Sequence, residues 1–259
     1  MSIINQKDFI DFYSIFYYEN SYSKDVKKEF GIPIDLKNAK NIDKPTAEIN
    51  IVKKLKNGIY DSSSIAWKLG TEIKNNGDVD YRYYHFKAND IKKFCKRLHQ
   101  TYNKSILKSY KPAEDRNELY MAIRDLYSKI LRINLDTNLP GNRFGAVQII
   151  NSIYFLSAGK APIYDQYAHK AILALNYGIS PKDILLGSEF NKKNIDTVIC
   201  MYKDYLTLLE KQFPDNIYLE QNQYINRDLD QALWVYGHCE SSWYEVKEKA
   251  HAFLNNLGS

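Results

Sequence analysis

Apolar residues recur along this chain mainly at intervals of three and four, so most of it reads as helix. Residues 6–18 form a dense aromatic and apolar run, predicted as a helix. Residues 23–45, rich in Lys and Asp with two prolines, read as a connector, and 46–57 as a short amphipathic helix. Asp61 and the serines at 62–64 cap the segment IAWKLG, which stops at Gly70. NNGD at 75–78 is turn chemistry, and VDYRYYHF at 79–86 is the best strand candidate. Asn89 caps a basic helix running to about 103. Pro112, followed by Glu114 and Asp115, opens a long helix to about 132.

The central pattern is sharper. NLDTNLPGN at 134–142 is a turn, and Ala146, Ile149, Ile150 and Ile153 then mark one helical face. After GKAPIYD at 159–165, Ala168, Ala171, Ile172 and Leu175 repeat that spacing until Gly178 ends the helix. Ser180-Pro181 starts a short helix. Further helices are predicted over 191–212, stopped by Pro214, and over 228–236 and 241–255. The pattern predicts a mainly α fold with at most a small β element near 79–86.

Composition narrows the class. The chain has 259 residues, 44% of them hydrophobic, enough for a substantial core. A net charge of +5 permits a nucleic-acid partner without requiring one. The densest basic stretches, KKFCKRLH at 92–99 and NKSILKSYK at 103–111, suit either a solvated face or a surface tracking phosphates. The 22 tyrosines supply flat rings for a core or for stacking on bases. Three scattered cysteines, Cys95, Cys200 and Cys239, predict no disulfide framework, no zinc site and no iron–sulfur cluster. They fit a reducing cytoplasm. No signal peptide and no membrane span is expected, and the pattern calls for no metal or cofactor.

Two features of the centre bear on chemistry. In LPGNRFGAVQII, Pro140 and Gly141 shape a turn between helices. Gly145 permits close backbone approach, and Arg143 offers a charge-assisted contact to a phosphate held at the second helix's N-terminus. The plainer reading is an ordinary interhelical loop. Asp165 begins the next helix. As an N-cap it stabilises by roughly 1 kcal/mol, which accounts for its presence. Beside a cleft, the same carboxylate would stabilise a developing cation or orient a water.

Hairpin, apolar helix, then Pro162…Asp165 opening another helix resembles the helix-hairpin-helix DNA glycosylases, over about 135–177. That resemblance implies two helical lobes around a cleft, double-stranded DNA as partner and Asp165 as the catalytic carboxylate. The lobes would be 1–110 with the C-terminal helices 214–259, and 111–213. Pro140, Gly141, Arg143, Gly145, Lys160, His169 and Lys170 would contact DNA. Tyr154, Tyr164 and Tyr167 would be candidates for stacking on a flipped base. Arg143 stands where the family hairpin has a second glycine, and Gly145 or Ala146 stands near the Schiff-base lysine of bifunctional members. The expected enzyme is therefore monofunctional. A non-catalytic helical DNA- or protein-binding module is the alternative. A third reading is a small-molecule hydrolase using Asp61 or His238. The adjacent pair His238-Cys239 is not by itself a catalytic dyad.

Overall fold

The computed structural model describes residues 5–18, 22–34, 36, 72–73, 79–80, 116–137, 150, 154, 160–186, 194–219 and 224–258. The fold is mainly α. Its helices are α1 (Gln6–Tyr18), α2 (Lys24–Glu29), α3 (Arg116–Thr137), α4 (Gln166–Tyr177), α5 (Ile195–Gln212), α6 (Arg227–Tyr236) and α7 (Trp243–Leu257). A 3-10 turn, Pro181–Asp183, follows α4 and is capped by Ser180. Two antiparallel ribbons of two-residue strands complete it. β1 (Glu72–Ile73) pairs with β2 (Val79–Asp80), and β3 (Tyr218–Leu219) with β4 (Tyr224–Ile225). β2 lies at the start of the strand expected over 79–86, of which the remainder is outside the described residues, and its partner β1 was not anticipated. The second ribbon was not anticipated either, because two residues are too few to establish a period of two.

The connector expected at 23–45 contains α2. Ser23 caps it, accepting from the Val26 N–H at 3.3 Å. The segments 46–57, 61–70, 89–103 and 138–149, with Pro140, Gly141, Arg143 and Gly145, lie outside the described residues. Of the helical face expected after that hairpin, Ile150 is described; it and Tyr154 are helical and buried.

The core is aromatic. Phe9, Phe12, Tyr13 and Phe16 fall at i, i+3, i+4 and i+7 of α1, and all are fully buried. This stripe packs α1 onto α6 and α7, tying the amino-terminal helix to the carboxy-terminal pair. Phe9 meets Tyr236 and Trp243 edge-on, each at 5.3 Å between centroids. Tyr13 meets Tyr236 at 5.0 Å, and Phe12 meets Phe253 at 6.1 Å. Such pairs each contribute about 0.5–1.5 kcal/mol beyond their burial. Gly31 reinforces the closure. It sits at φ 65° and its carbonyl accepts the Glu240 N–H at 2.9 Å. A Cβ there would lie 2.9 Å from the Ser241 backbone nitrogen.

Helix α4 occupies the middle, packed against α5 and α6. Ala168, Ala171, Ile172 and Leu175 are buried as their spacing predicts. Gly178 ends the helix in the left-handed region at φ 71°. The approach is tightest at Gly237, where α6 ends. A Cβ added there would lie 2.0 Å from the Tyr167 carbonyl oxygen. Only a glycine lets the end of α6 meet the first turn of α4 this closely.

Candidate active site at the start of helix α4

Asp165 is the N-cap of α4, with extended backbone (φ −136°, ψ 146°). Its Oδ1 accepts the Tyr167 N–H at 2.8 Å, and the residue is half-buried. The segment leading into it is held from below: the Tyr202 hydroxyl on α5 donates to the Pro162 carbonyl at 2.7 Å. Ala161, Ile163 and Tyr164 are buried around that anchor.

Tyr164, offered by the sequence for stacking on a base, is fully buried instead. Its ring meets Tyr202 and Tyr205, each at 5.4 Å. Its hydroxyl shares a 2.9 Å hydrogen bond with Nδ1 of His169. Burial pushes the phenol well above its usual range, and the carboxylates of Asp204 and Asp165 push the same way. His169, offered as a phosphate contact, is 5% exposed, and burial lowers its pKa to about 4. It is a neutral interior group at pH 7, not a surface cation. Tyr154 is 3% exposed and faces the Arg227 guanidinium at 5.7 Å. Neither Tyr154 nor Tyr164 presents an open ring.

Tyr167 is half-buried and stacks on His238, with centroids 3.6 Å apart and planes 23° apart. Trp234 joins this stack, 4.2 Å from His238. His238 is tied back through Nδ1–H, which donates to the Trp234 carbonyl at 2.8 Å. Burial lowers its pKa, and the nearby Lys170 ammonium adds to that. Lys170 and Lys160 are both half-buried flanks of the junction. Cys239 is buried, its thiol pushed up by burial and directed at the Val235 carbonyl, 3.4 Å away. His238 and Cys239 therefore make no dyad. Asp61 lies outside the described residues.

Sequence reasoning missed the polar groups that gather behind Asp165. Tyr205 on α5 is 2% exposed. Burial raises its phenol well above the usual range; Asp230 and then Asp165 add to this, and Arg227 opposes it. Arg227 and Asp230, three apart in the first turn of α6, form an ion pair with side chains 16% and 12% exposed. Asn226 caps that helix, its Oδ1 accepting the Asp228 N–H at 3.1 Å. The spacing of Asn226, Arg227 and Asp230 announced a capped helix, but nothing local announced Tyr205 as their neighbour. Pro162, Ile163, Tyr205, Asn226 and Asp230 line a narrow cleft with a cavity volume of about 10 Å³, room for about one water molecule.

Among the described residues, no group of three or more His, Cys, Asp or Glu side chains is placed to hold a metal ion. Among them, no helix is long and apolar enough to cross a membrane. Comparisons with family models, with curated proteins and with solved structures give no match.

Proposed function

We propose that this chain is a monofunctional DNA glycosylase that hydrolyses N-glycosidic bonds in double-stranded DNA, with Asp165 as its carboxylate. The observation that carries the reading is the mounting of Asp165. Its Oδ1 takes the Tyr167 N–H at 2.8 Å, which orients the carboxylate at the positive end of α4. The Tyr202–Pro162 bond and the close contact at Gly237 hold both sides of the junction. A carboxylate held in advance of the reaction is what an oxocarbenium-like sugar needs opposite it.

In the step, the C1′–N bond breaks and its electron pair leaves with the base, which takes up a proton. Water supplies the oxygen that bonds to C1′ and gives up a proton. No lysine stands at 143–149, where the resemblance would place the Schiff-base lysine of a bifunctional member, so the expected product is an abasic site without strand cleavage. The other reading is a non-catalytic helical DNA- or protein-binding module: the hydrogen bond from the Tyr167 N–H is the one a plain N-cap makes, and in that reading Asp165 is a cap alone.

The test is release of base from duplexes carrying damaged or modified bases, scored as abasic sites cleaved by hot alkali. Wild type is expected to leave abasic sites without nicking. Asp165→Asn is expected to fold, because asparagine caps about as well as aspartate, and to lose base release by about 100-fold or more. Equal release by the variant, or none from any such substrate by wild type, leaves the binding module.

A further inference from the structure

We infer that His238 is a positioning residue for Asp165: it holds Tyr167, and through the Tyr167 N–H it fixes the carboxylate. The catalytic half of the inference rests on the glycosylase reading, and the mechanical half does not.

The weak point of the mount is the backbone at Tyr167. This is the second residue of α4, where N–H groups have no partner within the helix. Its N–H goes instead to Asp165 Oδ1, at 2.8 Å. Helix ends fray, so that bond is placed only as well as Tyr167 is held from outside. The end of α6 holds it at two points. At Gly237 the two backbones come so close that an added Cβ would lie 2.0 Å from the Tyr167 carbonyl oxygen and 2.6 Å from its carbonyl carbon. The next residue, His238, lays its imidazole on the Tyr167 ring, with centroids 3.6 Å apart and planes 23° apart. Consecutive residues of one turn thus hold the main chain and the side chain of Tyr167.

His238 is in turn well anchored. Its backbone N–H donates to the Val235 carbonyl at 3.0 Å, and its Nδ1–H to the Trp234 carbonyl at 2.8 Å. The Trp234 ring lies 4.2 Å from the imidazole and meets Tyr17 of α1 edge-on at 5.4 Å. The contact on Tyr167 is therefore tied through α6 to α1. With Nδ1–H committed to a main-chain carbonyl, what His238 offers Tyr167 is a flat ring in a fixed plane. A ring without nitrogen should serve the same purpose.

Three substitutions test this, with thermal unfolding as the check on folding. His238→Ala removes ring and donor, His238→Gln keeps a donor without a ring, and His238→Phe keeps a flat ring without a donor. The first readout is hydrogen exchange of the Tyr167 amide, followed by NMR, which needs no substrate. Exchange is expected to quicken about 10-fold or more in His238→Ala and His238→Gln, and to stay within about threefold of wild type in His238→Phe. Equal exchange in His238→Gln and wild type overturns the hold on Tyr167. The second readout is base release. In His238→Gln, kcat is expected to fall about 10-fold or more with KM within about twofold, and His238→Phe is expected to restore it. Full release by His238→Gln overturns the catalytic half and leaves the glycosylase standing. A loss in His238→Phe as deep as in His238→Gln, with the Tyr167 amide still protected, overturns positioning, because His238 would then act through its nitrogens. If His238→Ala fails to fold, the other two variants decide. If wild type releases no base, the glycosylase reading and the catalytic half fall together, and amide exchange alone judges whether His238 holds Tyr167.

Discussion

Acid should unfold this protein partly through His169, and the size of the effect follows from where that residue sits. An unperturbed histidine titrates near 6.5. In the fold, burial beneath α5 and against Tyr164 lowers His169 to about 4. The neutral form is thus the one that the native state accommodates. The stability it confers is complete above about pH 6.5 and is lost as pH falls toward 4, because the unfolded chain takes up the proton first. With those two values, lowering pH from 7.5 to 4.5 costs about 2.5 kcal/mol through this one group, since each unit of separation is worth about 1.4 kcal/mol. The residue is 5% exposed, so little solvent screening reduces that figure. The assay is urea unfolding across that pH range for wild type and His169→Phe. The variant loses the hydrogen bond to Tyr164, so it starts about 1–2 kcal/mol less stable at pH 7.5. Its stability should nevertheless fall less steeply with acid, by about 2.5 kcal/mol over the range. Other groups, His238 included, titrate in both proteins and cancel in the comparison. Parallel stability-versus-pH curves for the two proteins would refute the buried, neutral assignment.

Two further substitutions test the packing. Gly237→Ala should destabilise by about 1–3 kcal/mol or more, since its Cβ would fall 2.0 Å from the Tyr167 carbonyl and backbone would have to move; an unchanged urea midpoint would contradict the close contact. Tyr13→Phe should raise stability by about 1 kcal/mol, because the Tyr13 hydroxyl is fully buried and has no hydrogen-bond partner among the described residues; a loss of stability would mean that the hydroxyl is satisfied.

Helix α4 was legible because all its signals are local. Asp165 caps it, Gly178 stops it, and four apolar residues at helical spacing mark its inner face. Helices α5 and α6 were expected over 191–212 and 228–236, but their caps, Asn194 and Asn226, were not singled out. His169 was misplaced for a physical reason. Helix α4 has neighbours on two sides, α5 and α6, so its buried arc is wider than one stripe. A position next to Ala168 that would be solvated on a surface helix is covered here. Tyr154 and Tyr164 were candidates for stacking because any tyrosine near a junction has a π-face. Whether that face is open depends on Arg227, Tyr202 and Tyr205, which come from distant segments. The grouping of Tyr205 with Asp230 behind Asp165 was illegible on the same ground. One residue is on α5, one on α6 and one at the start of α4, and no short-range spacing relates them.

The arrangement around Asp165 also bears on whether one carboxylate serves as both cap and catalyst. A cap needs one acceptor, and a carboxylate offers about four lone-pair sites on two oxygens. The hydrogen bond from Tyr167 goes to Oδ1. The two duties would conflict if capping drew the group into the interior, but Asp165 stays half-buried while Ile163 and Tyr164 before it are sealed in. The cap therefore does something a catalytic carboxylate needs. It fixes one rotamer and directs a helix N-terminus at the charge, which removes the reorganisation a mobile carboxylate would undergo at the moment a cation forms. The same logic explains the dense support behind it. The Tyr202 hydrogen bond to Pro162, the glycine contact at Gly237 and the Tyr167–His238 stack each restrict a different direction of movement of one short segment. Close packing of a buried segment produces such restraint by itself, and the same restraint would suit a group that must meet a transition state in one orientation.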